Sequence, residues 1–391
     1  MTGNTALTAP FLRLYALALL FFSANAVLGV IIPLRSASLG ASNSHVGVIM
    51  GAYMFACMLF RPWAGHLIQR HGPVIVLRIL LIVNGLALVL YSFVGLEGFI
   101  FARIMQGICT AFFSMALQTG IIDALPEDQR AQGVSLYSLF TYMPTVAGPL
   151  LAIGIWDWGG MHAFTVVTVA IALVTGWFGY SVPMQRIHPQ EGEQLKQKGL
   201  SGALSQIPGQ RPLLVCSVLM LAVSVVFGTV ATFIPLYAKQ VSYGHAGLYL
   251  MVQASVIVVC RLVYRKRIPS DGRWHIRFIG AVCLFAAAGT LMLSFSRSGG
   301  PVLFYTAAVW IGIAQALLYP TLMSYLTFVL PSASRNIMIG WFIAAADLGV
   351  AMGGVAMGPL ADRFSYSFMY AVSAGLAALA TGIVLLNRRR S

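Results

Sequence analysis

Apolar runs of about 20 to 28 residues, separated by short polar breaks, recur from one end of this chain to the other and leave few folds open to it. A helix rises about 1.5 Å per residue, so about 20 residues cross a hydrocarbon core of about 30 Å. Backbone amides in lipid must bond within their own segment, which makes these runs helices. A barrel needs short alternating segments, and the chain shows none. Composition agrees: 59% of the 391 residues are hydrophobic and 9% are charged, where a soluble surface calls for about a quarter. The spans fall at 11–34, 46–68, 73–95, 97–122, 131–155, 161–183, 212–237, 245–264, 276–296, 301–329, 335–360 and 365–387. The expected fold is an all-α membrane protein of about twelve transmembrane helices.

The net charge of +14 does not point to nucleic acid, because the basic residues lie in loops between the apolar runs. With both termini placed in the cytoplasm, eighteen Lys and Arg lie on that side. Four lie outside (Arg35, Lys239, Arg297 and Arg363), and Arg61 and Arg103 are left, counted to neither side, within their spans. This bias orients a multi-pass chain in a lipid bilayer with both termini cytoplasmic, and its economy and short loops suggest a bacterial inner membrane. The first run lacks a small-residue cleavage site and reads as a retained helix rather than a signal peptide. Cys57, Cys109, Cys216, Cys260 and Cys283 all lie in spans without ligand spacing. Free thiols are expected, with no metal site and no cofactor. The seven histidines sit mostly at span ends, and no pair has zincin spacing.

The longest polar stretch, Met184 to Arg211, reads as a cytoplasmic linker between six spans and six spans. Residues 1–183 and 212–391 are accordingly expected to form two six-helix bundles. An internal repeat supports this. A shift of 200 residues matches Arg61 to Arg261 and Gly72 to Gly272. A shift of 205 matches Gly107 to Gly312, Leu117 to Leu322, Pro126 to Pro331, Arg130 to Arg335, Gly148 to Gly353 and Asp157 to Asp362. Parallel halves with a polar site between them near the bilayer midplane suit alternating-access transport.

Several segments carry a family resemblance. Gly65-His-Leu-Ile-Gln69-Arg70-His-Gly72, between the second and third spans, resembles the loop signature of the major facilitator superfamily. Arg103-Ile-Met-Gln106-Gly107 resembles a motif of its proton-coupled members, and Gly148-Pro149 the core of its antiporter motif. Tyr319-Pro320-Thr321, Ala346-Asp347-Leu348-Gly349 and Gly358-Pro359-Leu360-Ala361-Asp362-Arg363 resemble drug and metabolite efflux members. The resemblance implies two pseudo-symmetric six-helix bundles and a proton-coupled exporter of small organic molecules, with drugs, metabolites and metallophores or siderophores as cargo classes. Gly65, Gln69, Arg70, Gly72, Gly148 and Pro149 are its motif residues; Arg61 and Arg261, near the cytoplasmic ends of the second and eighth spans, read as gating or structural anchors rather than substrate contacts. The chain departs from the pattern: Gln69 replaces an Asp, Ala152 and Ile153 replace two glycines, Pro144 stands where an earlier Gly is usual, and the first span has no carboxylate. An amide at position 69 supplies no charge, so that switch is weakened or replaced.

Charges inside hydrocarbon mark function by default. Asp347 is the one carboxylate placed well inside a span. A carboxyl withdrawn from water holds its proton more readily, so Asp347 is the proton-coupling candidate. A structural role capping a broken helix beside Gly349 is the alternative. Arg103 suits either an anionic cargo group or a structural bond, and Gln106 lies on its face one turn on. Asn25, Tyr137, Tyr142, Gln253, Gln315 and Tyr319 complete the substrate-cavity candidates and give an amphipathic cavity rather than a charged one. No nucleotide-binding run and no intramembrane cluster of catalytic groups is present in the sequence, which argues against an ATP-driven pump and against an enzyme. The partners expected are a small-molecule substrate and protons, with the protein a monomer. An importer, a sugar or amino-acid efflux permease, or a transporter-like sensor would use the same scaffold.

Overall fold

The structure, a computed structural model, describes residues 7–126, 129–180, 210–264, 268–269, 271–331 and 335–387. The expected linker, apart from Gln210 and Arg211, lies outside the described residues, as do Arg265 to Arg267 and Arg388 to Arg390. No strand occurs among the described residues. Ten helices follow one another: α1 Ala9–Ser38, α2 Asn43–His71, α3 Pro73–Leu90, α4 Leu96–Ala124, α5 Arg130–Tyr180, α6 Arg211–Tyr237, α7 Ala246–Tyr264, α8 Ile276–Val329, α9 Arg335–Arg363 and α10 Tyr366–Leu386.

Two of these are too long for one crossing. α5 has 51 residues and α8 has 54, which at about 1.5 Å each is more than twice the hydrocarbon thickness. α5 leaves helical geometry at Gly159 (φ −154°, ψ 16°) and Gly160 (φ 52°, ψ −131°). α8 does so at Gly300 (φ 79°, ψ −171°), immediately before Pro301. Gly160 and Gly300 hold a positive φ that a Cβ would resist. Pro301 opens the next arm, where its missing N–H costs nothing. Each long helix is therefore two arms, and the described chain has twelve apolar segments. The sequence suggests loops at these two places, whereas the structure turns within one or two glycines.

The chain divides into two compact units: one within 1–39 and 52–191, the other within 40–51 and 192–391. In the first, α1 runs along α5, and α3 packs on both α4 and α5. Its core joins Leu17, Phe21, Leu77, Phe113 and Leu117. Phe21 stacks on Phe113 with centroids 3.8 Å apart and rings 5° from parallel. Trp158 and Trp177 are 87% and 81% exposed, a surface that suits lipid and not water.

In the second unit, α6 runs along α9 and α8 along α10. Lipid tails are as apolar as side chains, so membrane helices associate through close packing of small residues. A Cβ on Gly353 would meet the Val225 carbonyl and the Thr229 amide; one on Gly349 would meet the Leu221 carbonyl. Thr229 Oγ1 donates to the Val225 carbonyl (2.8 Å) and across to the Gly353 carbonyl (3.2 Å). The same device explains why the amino end of α2 groups with this unit. Gly47 lies on the Gly354 carbonyl, and a Cβ on Gly51 would stand 2.8 Å from the Ala351 carbonyl. Asp362, at the end of α9, accepts from the Asn43 amide (2.7 Å), the Ser44 amide (2.8 Å) and Ser44 Oγ (2.5 Å). These first helix amides have no partner in their own helix, and the helix dipole favours a carboxylate there.

Candidate transport site

The repeat seen in the sequence is also a repeat of contacts within each unit. Arg130 Nε donates to the Leu125 carbonyl (3.3 Å), and an Arg335 guanidinium nitrogen donates to the Leu330 carbonyl (3.5 Å), with the same spacing of five. Gly72 and Gly272 both hold a positive φ, 77° and 72°. Gly107 lies against the carbonyl of Tyr53, and a Cβ on Gly312 would stand 2.9 Å from the carbonyl of Gln253. These glycines let the fourth crossing of each half approach the second at matched positions.

In the first unit that approach builds a polar network. Arg103, Gln106 and Thr110 share one face of α4, since residues three and four apart are neighbours. Arg103 donates to the Leu28 carbonyl at 2.9 Å and to Gln106 Oε1 at 3.3 Å. Pro33, lacking an N–H, opens the hydrogen-bond ladder of α1 next to that carbonyl. Tyr91 OH also donates to Gln106 Oε1 (3.1 Å), and Gln106 Nε2 donates to Asn25 Oδ1 (2.6 Å). Asn25 Nδ2 donates to Tyr53 OH (3.2 Å) and Thr110 Oγ1 (3.4 Å), and Tyr53 OH donates to Thr110 Oγ1 (3.1 Å). The guanidinium lies 5.6 Å from the Tyr53 ring centroid and 5.9 Å from that of Tyr91, within cation–π range. Arg103 is 2% exposed and Gln106 0%, whereas Asn25 and Tyr53 are half-buried. The arrangement thus has a buried cationic interior and a reachable polar edge.

The remaining candidates fall elsewhere. Tyr137 is buried and its hydroxyl donates to the Ser114 carbonyl (3.5 Å); Tyr142 is half-buried one turn further along α5. In the second unit Gln253 Nε2 donates to Gln315 Oε1 at 2.9 Å. Tyr319, one turn beyond Gln315, stacks on Phe342 at 5.7 Å. Asp347 is half-buried on α9, two residues before Gly349.

Among the motif residues, Arg61 is half-buried ten residues before the end of α2, Arg261 is half-buried in the last turn of α7, and Arg70 is exposed. Gly65 has open space where a Cβ would sit, Gly148 lies against Ala26 Cβ, and Pro149 is buried. The side chain of Gln69 lies outside those described. In the matching loop of the second half, Asp271 accepts from His275 Nε2 (2.7 Å) and from the Arg273 amide (3.1 Å). The His275 bond first, and the amide second, hold its carboxyl below the usual carboxylate range. All five cysteines are buried free thiols.

The sequence reading passes over Tyr53, Tyr91 and Thr110. A signal for two of them is present: the 200 and 205 shifts that define the repeat align Tyr53 with Gln253 and Thr110 with Gln315.

Residues 14–270 match the model of the Major Facilitator Superfamily. The chain is 48% identical over 369 residues to the staphylopine export protein of Staphylococcus aureus, covering 94% of this chain and 93% of that one. It is 29% identical over 165 residues to an uncharacterised MFS-type transporter of Burkholderia mallei, covering 42% of this chain and 40% of that protein. Among solved structures it resembles the nucleoside transporter NupG, with a TM-score of 0.80 at 12% identity over 98% of this chain and all of that one (100%). A bacterial homologue of the lysosomal transporter Spinster gives 0.72 at 14% identity, covering 99% of this chain and 96% of that one. The structural likenesses show the fold, and the family match with the long, close relative shows the lineage: this chain belongs to the Major Facilitator Superfamily of membrane transporters.

Proposed function

We propose that the chain exports an opine-type metallophore from the bacterial cytoplasm by alternating access, in exchange for protons. The observation that carries this reading is the 48% identity over 94% of the chain to the staphylopine export protein. Opine-type chelators bear ammonium and carboxylate groups. The site chemistry supports such a cargo. Asn25 and Tyr53, both bonded to Thr110, form the half-buried edge of a network whose interior holds a fixed guanidinium. A carboxylate near that edge gains from the nearby positive charge, and Arg103 and Gln106 act on it as positioning residues behind Asn25 and Tyr53. Asp347 is the proton carrier in this account, and both termini face the cytoplasm. The protein works as a monomer.

Inside-out membrane vesicles expressing the chain are expected to accumulate labelled staphylopine in an acidified lumen, and vesicles from cells with an empty vector are not. Equal accumulation in both preparations would remove the export reading.

A further inference from the structure

Each half carries a hydrogen-bonded polar pair at matched positions, Tyr53–Thr110 in one and Gln253–Gln315 in the other, and their surroundings differ. In the first unit Tyr53 donates to Thr110, Asn25 donates to both, and Gln106 donates to Asn25. In the second unit the pair is Gln253 and Gln315. The positions matching Arg103 and Gln106 are Ala308 and Ile311, which bring no polar group. Gln253 is 7% exposed, and its Oε1 accepts no hydrogen bond. One turn before it on the same face of α7, the hydroxyl of fully buried Tyr249 is also without a partner. A buried polar atom left in this state is costly, and a ligand group or water is what can meet it.

The chemistry of what fills it follows from the inventory of the pair. Two amides joined by one hydrogen bond leave one acceptor oxygen and one NH2 group. That remains true when both amides are turned together, which reverses the bond and keeps the same spare groups. The spare oxygen calls for an N–H donor, and the spare NH2 calls for an oxygen acceptor. No counter-charge stands close by in sequence: the arm of α8 from 301 to 329 has no charged residue, and α7 has only Arg261, two turns beyond Gln253. A ligand group with net charge would be desolvated here without compensation. A group carrying an ammonium beside a carboxylate satisfies both spare valences and stays neutral as a whole.

We propose that the Gln253–Gln315 pair, with Tyr249, is the contact through which the second unit holds an amino-acid-like ammonium–carboxylate end of the cargo. This rests on the export reading above and names the part of the cargo recognised.

The test uses the full-length chain in proteoliposomes with staphylopine as probe, and a double variant Gln253→Met, Gln315→Met. Replacing both partners of a buried hydrogen bond by apolar groups of similar shape is nearly neutral for folding, so its thermal midpoint should equal or exceed that of the parent. The expected result is a KM for staphylopine raised at least tenfold in the double variant. The single variant Gln253→Glu, which adds an anion to the pair, should raise it as well. A KM within twofold of the parent in both variants would overturn the assignment and leave the pair a structural or water-filled contact. Absence of staphylopine flux in the parent protein itself would overturn the export reading and this assignment's ligand together. Parent flux and the variant-to-parent ratio therefore report the two failures separately.

Discussion

Arg103 shows what a single residue contributes. Its side chain is buried, bonds a carbonyl of α1 and an amide oxygen of α4, and lies within range of two tyrosine rings. Lysine keeps the charge but loses the planar fork that reaches both acceptors. Arg103→Lys is expected to raise KM for staphylopine about tenfold with Vmax within twofold, because Asn25 and Tyr53 lose their fixed positions. Equal falls in Vmax and in folded yield would mark Arg103 as structural only. Part of this cluster was legible in the sequence. The spacing of Arg103 and Gln106 puts them on one face, and Asn25 stands out as a polar group in an apolar span. Tyr91 was not legible, since aromatic residues are common in membrane helices and only packing shows which hydroxyl meets which amide; Tyr53 is marked only by its repeat partner Gln253. The side-chain order along one helix is local information; the meeting of four helices is not.

At the scale of elements, the positions of the spans follow from apolar run length, and their ends do not. The sequence suggests loops after residues 155 and 296, yet α5 and α8 continue through both places and turn at Gly160 and Gly300. A run of apolar residues carries no mark of a turn made by one glycine. Asp362 is a second case. The sequence presents it as part of a motif and as the repeat partner of Asp157, whereas the structure makes it the cap of α2, three helix donors on one carboxylate. Losing an N-cap typically costs about 0.5–2 kcal/mol. Asp362→Ala should lower the thermal midpoint of the purified protein accordingly, and Asp362→Asn, which keeps an acceptor oxygen, should recover about half of the loss. An unchanged midpoint in Asp362→Ala would mean that water serves those amides equally well.

The whole molecule joins a duplicated scaffold to unequal interiors. The fold was legible almost entirely, because twelve apolar segments, a midpoint polar stretch and matched Arg, Pro and Gly residues leave little else to build. The matched contacts of Arg130 with Arg335 and of Gly107 with Gly312 express that duplication in each unit. The site was legible only in part, since duplication predicts equal halves and the polar chemistry differs between them. The first unit closes its network around a guanidinium; the second leaves an amide pair open. Coupling the cargo to protons is the central claim, and Asp347 on α9 is where it rests. The most direct measurement is staphylopine flux into proteoliposomes holding the purified chain, with the lumen buffered more acid than the bath, for the parent and for Asp347→Asn. The account predicts uptake that depends on the pH difference in the parent, collapses with a protonophore, and falls at least tenfold in a folded Asp347→Asn protein. Uptake by the variant that still follows the pH difference at the parent's rate would contradict it.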